Sequence, residues 1–226
     1  MLGIPSPHEC DDPERVFYPT EHLPPTTLAE RNLSVALRLA DHWLHVHPCN
    51  SNKAPTISWG KDADRIGKGS SHDSRVINNW FGGGRVAIPG INAGKSNLLV
   101  IDCDRKPNKP DGVAAFWELA ARHGGIPDAC PIVSTPSNGR HVYFRQPDGA
   151  PFTNRTGALP PGIDVRGVGG QVIAPGACLP DGREWEHVAG SPDLAEAYAT
   201  NTIPQLPEWL AAILRTPKAS EQPAEE

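Results

Sequence analysis

Apolar residues at Leu28, Leu33, Ala36, Leu37, Ala40 and Leu44 recur at the three- and four-residue intervals of one helix face. Thr27, with Glu30 three residues on, supplies a capping box, so the pattern predicts a helix from there to about Trp43. Val46 then alternates with His45 and His47 as in a strand. Further short apolar runs at Val86–Ile88, Leu98–Cys103, Ile132–Ser134, His141–Phe144, Ile163–Val165 and Val172–Ala174 read as strands. Between the second and third of these, Val113, Phe116, Trp117 and Ala120 return to helical spacing up to His123, and Gly124 stands where a left-handed cap is wanted. Ser191-Pro192 has the form of an N-cap and first turn before a short helix. Pro207 opens another through Trp209, Leu210, Ile213 and Leu214, which Pro217 stops. Residues 1–25, punctuated by prolines, are expected as a poorly ordered arm, and 217–226 as a disordered tail linking to C-terminal domains. Strand and helix alternate through the middle. This predicts one mixed α/β unit over residues 26–216, in one or two lobes, with the sheet order left open.

The 226 residues are 38% hydrophobic and 21% charged, enough apolar content for a sizeable core. Pro (25) and Gly (22) fall short of the share that marks low complexity, so a loop-rich globular domain is expected. No run approaches the roughly 18 apolar residues of a membrane span, and the start of the chain has no signal-peptide pattern, which reads as soluble and cytoplasmic. Five widely spaced cysteines without a C-x-x-C pair suggest a reducing compartment. The net charge of -5 argues against tight, salt-resistant DNA binding. It is uneven, however: residues 95–183 carry 10 basic and 8 acidic groups, whereas 184–226 carry 2 and 8.

Three strands in that mildly basic middle carry polar groups on one face. Leu98–Cys103 runs into Asp104, giving Asp102 and Asp104 at spacing two, on one side of a strand and about 6.6 Å apart. Paired acids at that spacing suit hard cations such as Mg²⁺ or Mn²⁺, although a strand end entering the polar loop Arg105–Asn108 gives the same pattern. In the second segment, Pro136, Asn138 and Gly139 make a tight turn, with Ser137 and Arg140 at its mouth, into a strand whose His141, Tyr143 and Arg145 share a face, a set suited to phosphates and sugar. In the third, Asp164 and Arg166 share a face before a glycine-rich stretch. A third carboxylate with nearby arginines is what two-metal phosphoryl transfer requires.

Two other patterns fall short. Gly90–Ser96 resembles a P-loop with Pro89 where its first Gly should be, and it leads into a strand instead of opening a helix, so it is rejected. His42, His45, His47, Cys49 and His72 invite a zinc reading, but their spacing matches no familiar ligand set and zinc is not expected.

With these residues in view, the chain resembles the primase-polymerase branch of the archaeo-eukaryotic primase superfamily, found in phage and plasmid replication proteins. Leu99–Asp104 is similar to the family's first motif, Gly139–Phe144 to the second and Gly162–Gly167 to the third. Lys53-Ala54-Pro55 with Trp59, Val76–Trp80, Gly170–Pro175, Asp181–Trp185 and Leu206–Leu210 are similar to its landmarks, over about residues 27–215. The chain departs from the wider superfamily in having Gly139 two residues before His141, with Ser137 two further back.

The resemblance implies an α+β, two-lobed primase-polymerase fold, with a mixed sheet of RNA-recognition-like type, a small α/β lobe and a cleft between them. It implies Asp102, Asp104 and Asp164 as catalytic, metal-binding carboxylates for two Mg²⁺ or Mn²⁺ ions, and His141, Arg140, Ser137 and Arg166 as nucleotide-binding residues. The function implied is a template-dependent DNA primase and polymerase. Its partners would be single-stranded DNA template and primer, NTPs and dNTPs, and a C-terminal helicase domain, with no membrane. Two alternatives stand beside it: a non-catalytic replication or nucleic-acid binding module, and a D-x-D glycosyltransferase, which would need neither Asp164 nor the His141 strand.

Overall fold

The computed structural model describes residues 27–58 and 69–216; the arm, the tail and Trp59 lie outside the described residues. In chain order the elements are α1 (Leu28–Asp41), β1 (Val46–Cys49), α2 (Ser74–Phe81), β2 (Ile88–Asn92), β3 (Leu98–Cys103), α3 (Gly112–Arg122), β4 (Ile132–Ser134), β5 (Arg140–Arg145), β6 (Arg155–Thr156), β7 (Ile163–Arg166), β8 (Gln171–Ile173), β9 (Glu186–His187), α4 (Leu194–Ala199) and α5 (Glu208–Arg215). No helix of the described residues is long and apolar enough to cross a membrane.

The strands form two sheets, ordered β1-β2-β8 and β6-β7-β3-β5-β4-β9. The α+β class is as expected, but the mixed sheet is not: every named strand pair is antiparallel, and parallel pairing is confined to the isolated bridges Arg145–Gln205 and Thr153–Val168. The reason lies in the order. A strand–helix–strand sequence suggests parallel neighbours, but β5 inserts between β3 and β4, so each strand of the β3-α3-β4 unit meets an antiparallel partner.

Two apolar clusters cover the large sheet. On one face, Leu99, Ile101, Val142, Phe144 and Val165 pack with Phe116 of α3 and Leu210 and Leu214 of α5. On the other, Leu98, Val100, Val133 and Tyr143 join a core that includes the small sheet, α1, α2 and α4.

Local chemistry accounts for the remaining departures from the predicted elements. The capping box of α1 forms, with Glu30 N donating to Thr27 Oγ1 at 3.2 Å and Thr27 N to Glu30 Oε2 at 2.9 Å. The predicted strand at Val86 instead starts at Ile88 and runs through Pro89 to Asn92, while Val86 is exposed. Pro89 is tolerated because its carbonyl accepts from Ala174 N, so its missing N–H falls just past the end of β8. Its partner Pro48 turns its carbonyl outward to Thr56 N. Ser191 does not cap α4. Its hydroxyl instead accepts from Ile132 N at 2.7 Å, and Asp193 takes the cap position.

Asn32 ties α1 to the loops below it. It is fully buried, donates to the carbonyls of Ala87 (2.9 Å) and Cys178 (3.0 Å), and accepts from Cys178 N (2.9 Å). Asn32→Ala leaves all three backbone groups without that partner, and the expected loss is on the order of 3 kcal/mol, read as a lowered urea midpoint at unchanged m-value.

Candidate active site

One face of β3 carries Leu98, Val100 and Asp102 in turn, with Asp104 just beyond the strand. The first two are sealed in the core, and at Asp102 the cover ends in a cleft of about 350 Å³. Asp102 pairs in register with His141 of β5 on one side and Asp164 of β7 on the other, so the three stand in one row across three strands.

Arg166, two residues past Asp164 and on the same face, bridges the two acids, with Nη2 2.9 Å from Asp164 Oδ2 and 3.4 Å from Asp102 Oδ2. His141 Nε2 lies 3.4 Å from Asp102 Oδ1, and the Tyr143 hydroxyl lies 3.5 Å from His141 Nδ1. Burial pushes the Tyr143 phenol up, so it stays protonated beside the His141 ring.

Asp104 is held by its backbone. Its N donates to Gly162 O (2.8 Å) and its O accepts from Gly112 N (2.9 Å), which pins the loop between β7 and α3. A Cβ on Gly112 would stand 2.0 Å from Gly162 O, so only glycine allows this approach. The Asp104 carboxylate pairs with Lys106 Nζ at 2.7 Å and also borders a second hollow with Asp164, Thr156 and Pro160.

The structure brings Asp102, Asp104, His141, Ser137 and Arg166 to the cleft, with Asp164 beside them in the row. Arg140 is not among them. Alternation along β5 turns it to the opposite face, where its guanidinium donates to Ser134 Oγ (2.9 Å) and the carbonyls of Asn138 and Gly139. The Gly139 departure has a steric cause: a Cβ there would lie 2.5 Å from Cys103 O and 2.9 Å from Thr135 Oγ1. Ser137 reaches the cleft from the turn instead, 3.2 Å from Thr135 Oγ1.

The cleft also holds residues outside the expected set, among them Lys106, Gln171, Lys53 and Trp185. Lys106 had a signal, a lysine two residues after the acid pair. Gln171 follows the glycine pair and donates to Lys53 O at 3.0 Å, while Lys53 Nζ sits 5.3 Å from the Trp185 ring centre; only tertiary folding brings these three together.

Among the described residues, no group of three or more His, Cys, Asp or Glu side chains is arranged to hold a metal ion. The acids of the row each face a cation instead. Of the zinc candidates, His47 Nε2 and Cys49 Sγ both approach Gln171 Oε1 (3.3 and 3.7 Å), while His45 and His72 meet ring to ring.

Burial alone would raise the Asp102 carboxyl, but His141 and Arg166 outweigh it and hold it at about 2. A depressed carboxyl adds stability that is complete above its unfolded value near 4 and is lost as pH falls toward 2. Wild type should therefore lose about 2 kcal/mol more than Asp102→Asn over that window, measured as urea midpoints against pH.

A search of the curated proteins finds none that matches the chain. The family profile described as bifunctional DNA primase/polymerase, N-terminal, matches residues 36–209, a span that contains all of the row, the Asp104 brace and both sheets. The chain thus belongs to the Prim-Pol family of bifunctional DNA primase/polymerase N-terminal domains.

Proposed function

We propose that residues 26–216 form a catalytic unit that starts primers on single-stranded DNA and extends them by nucleotidyl transfer from NTPs or dNTPs, as part of a phage or plasmid replication protein working with a helicase domain. Family membership carries the coarser part, a DNA primase/polymerase role with nucleic acid and nucleotides as substrates. The row His141–Asp102–Asp164, with Asp104 beside it, supports the finer part.

The donor chemistry suits hard divalent cations: Asp102, Asp104 and Asp164 are oxygen donors near one another, two of which draw cationic side chains to 2.7 and 2.9 Å where a metal's charge would replace them. Two Mg²⁺ or Mn²⁺ ions held by Asp102, Asp104 and Asp164 would lower the pKa of the attacking 3′-hydroxyl and offset the charge of the triphosphate. The chain's own groups do the rest. Arg166 and Lys106 share the cleft with the acids and present positive charge to phosphate oxygens. His141, set between Tyr143 and Asp102, brings its imidazole to the cleft, and Ser137 adds a hydroxyl from the turn. A D-x-D glycosyltransferase would leave Asp164 and the His141 strand unexplained.

Incorporation of labelled nucleotides on a single-stranded DNA template, with and without a primer, should yield template-dependent products that vanish in the Asp102→Ala, Asp104→Ala double variant. Absence of products with either Mg²⁺ or Mn²⁺ would refute the reading. Asp104→Asn keeps the shape and should lower kcat by about a hundredfold or more. His141→Ala should chiefly raise the nucleotide KM; an unchanged KM would remove His141 from nucleotide binding.

A further inference from the structure

At the end of α1 the chain tolerates strain without gaining burial. His42 is the C-cap, and Trp43, the next residue, has φ 68, in the left-handed region that favours glycine. The same position after α3 is Gly124 (φ 85), and after α4 it is Asn201 (φ 56). Trp43 recovers little by packing: at 66% exposure it is the most exposed large hydrophobic side chain among the described residues. A bulky residue held at an unfavourable φ and left in solvent points to a role outside folding.

Its surroundings indicate which role. The Trp43 ring lies 5.1 Å from the His72 ring, and His72 meets His45 edge-on at 4.9 Å. The Val46–Ser71 bridge sets His45 and His72 opposite each other at the head of β1. Burial, with the charges of His72 and Lys95, lowers the His45 pKa, so its ring is a neutral aromatic at neutral pH. The His45 carbonyl accepts from Asn92 N at 2.9 Å, and Asn92 pairs with Gln171, which lines the cleft. Two strand spacings, about 10 Å, therefore separate the His45 backbone from that of Gln171.

Building on the primase/polymerase reading, we infer that Trp43, backed by His72 and His45, is a stacking platform for a base of the single-stranded DNA that enters the cleft. Nucleobases of any sequence present a flat π-face to such a ring, which suits an enzyme that must follow an arbitrary template. The platform gives the acidic chain a hold on DNA that does not depend on counterion release.

The test uses the strain. Trp43→Gly relieves the left-handed position while deleting the ring, so its thermal stability should equal or exceed that of wild type. Binding of a fluorescein-labelled oligo(dT), followed by anisotropy, should weaken by about tenfold. Binding of an abasic oligonucleotide of the same length should not change, and the oligo(dT) loss should persist as salt is raised. His72→Ala should give a smaller loss of the same kind. Unchanged oligo(dT) binding, an equal loss on the abasic strand, or a drop in stability would each overturn the platform, the last two by showing a sugar-phosphate contact or a structural tryptophan. If wild type incorporates nucleotides and Trp43→Gly binds normally, the platform alone fails. If wild type neither binds oligo(dT) nor incorporates, the functional reading fails and the platform with it.

Discussion

Two carboxylates directly opposite each other on neighbouring strands repel, and a sheet tolerates them only when something offsets the repulsion. Here Asp102 and Asp164 form such a pair at the centre of the large sheet, with Arg166 bridging them and His141 flanking Asp102 from the other side. The groups next to the pair support this arrangement. Tyr143 is buried beneath His141, and Asp104 is pinned by two backbone hydrogen bonds instead of by strand pairing. Arginine suits the bridge because its planar fork can face two acids at once, which the point charge of a lysine cannot do as well.

The large sheet makes the arrangement possible by dividing labour between its faces. One is sealed by α3 and α5, which gives β3, β5 and β7 a rigid back. The other is sealed over Val100 and Tyr143 and open at Asp102, so a single strand passes from core to site within two residues. Side chains set on a strand so anchored have little freedom to drift, which preorganised electrostatic catalysis demands.

Much of this was legible in the sequence where the signal was local. The capping box of Thr27 and Glu30, the Gly124 cap and the alternation that places Asp102 with Asp104 and Asp164 with Arg166 all rest on neighbours within four residues. The same alternation separates Arg140 from His141, so grouping those two neglected the period of a strand. What the sequence did not carry was register. That Asp102 faces Asp164 and His141 depends on which strands pair and at what offset, a property of contacts far apart along the chain. The insertion of β5 between β3 and β4, which makes the sheet antiparallel, and the meeting of Lys53, Gln171 and Trp185 are non-local in the same way.

The facing prolines of the small sheet bear on how the molecule behaves among its own copies. β1 is an outer strand, and outer strands invite a second chain to pair with them. With Pro48 on that strand, one rung of the free edge has no donor, and the bridges to Ser71 and Pro55 occupy the rungs on either side. That edge is thereby closed to strand addition, a safeguard against self-association where the small sheet has three strands among the described residues.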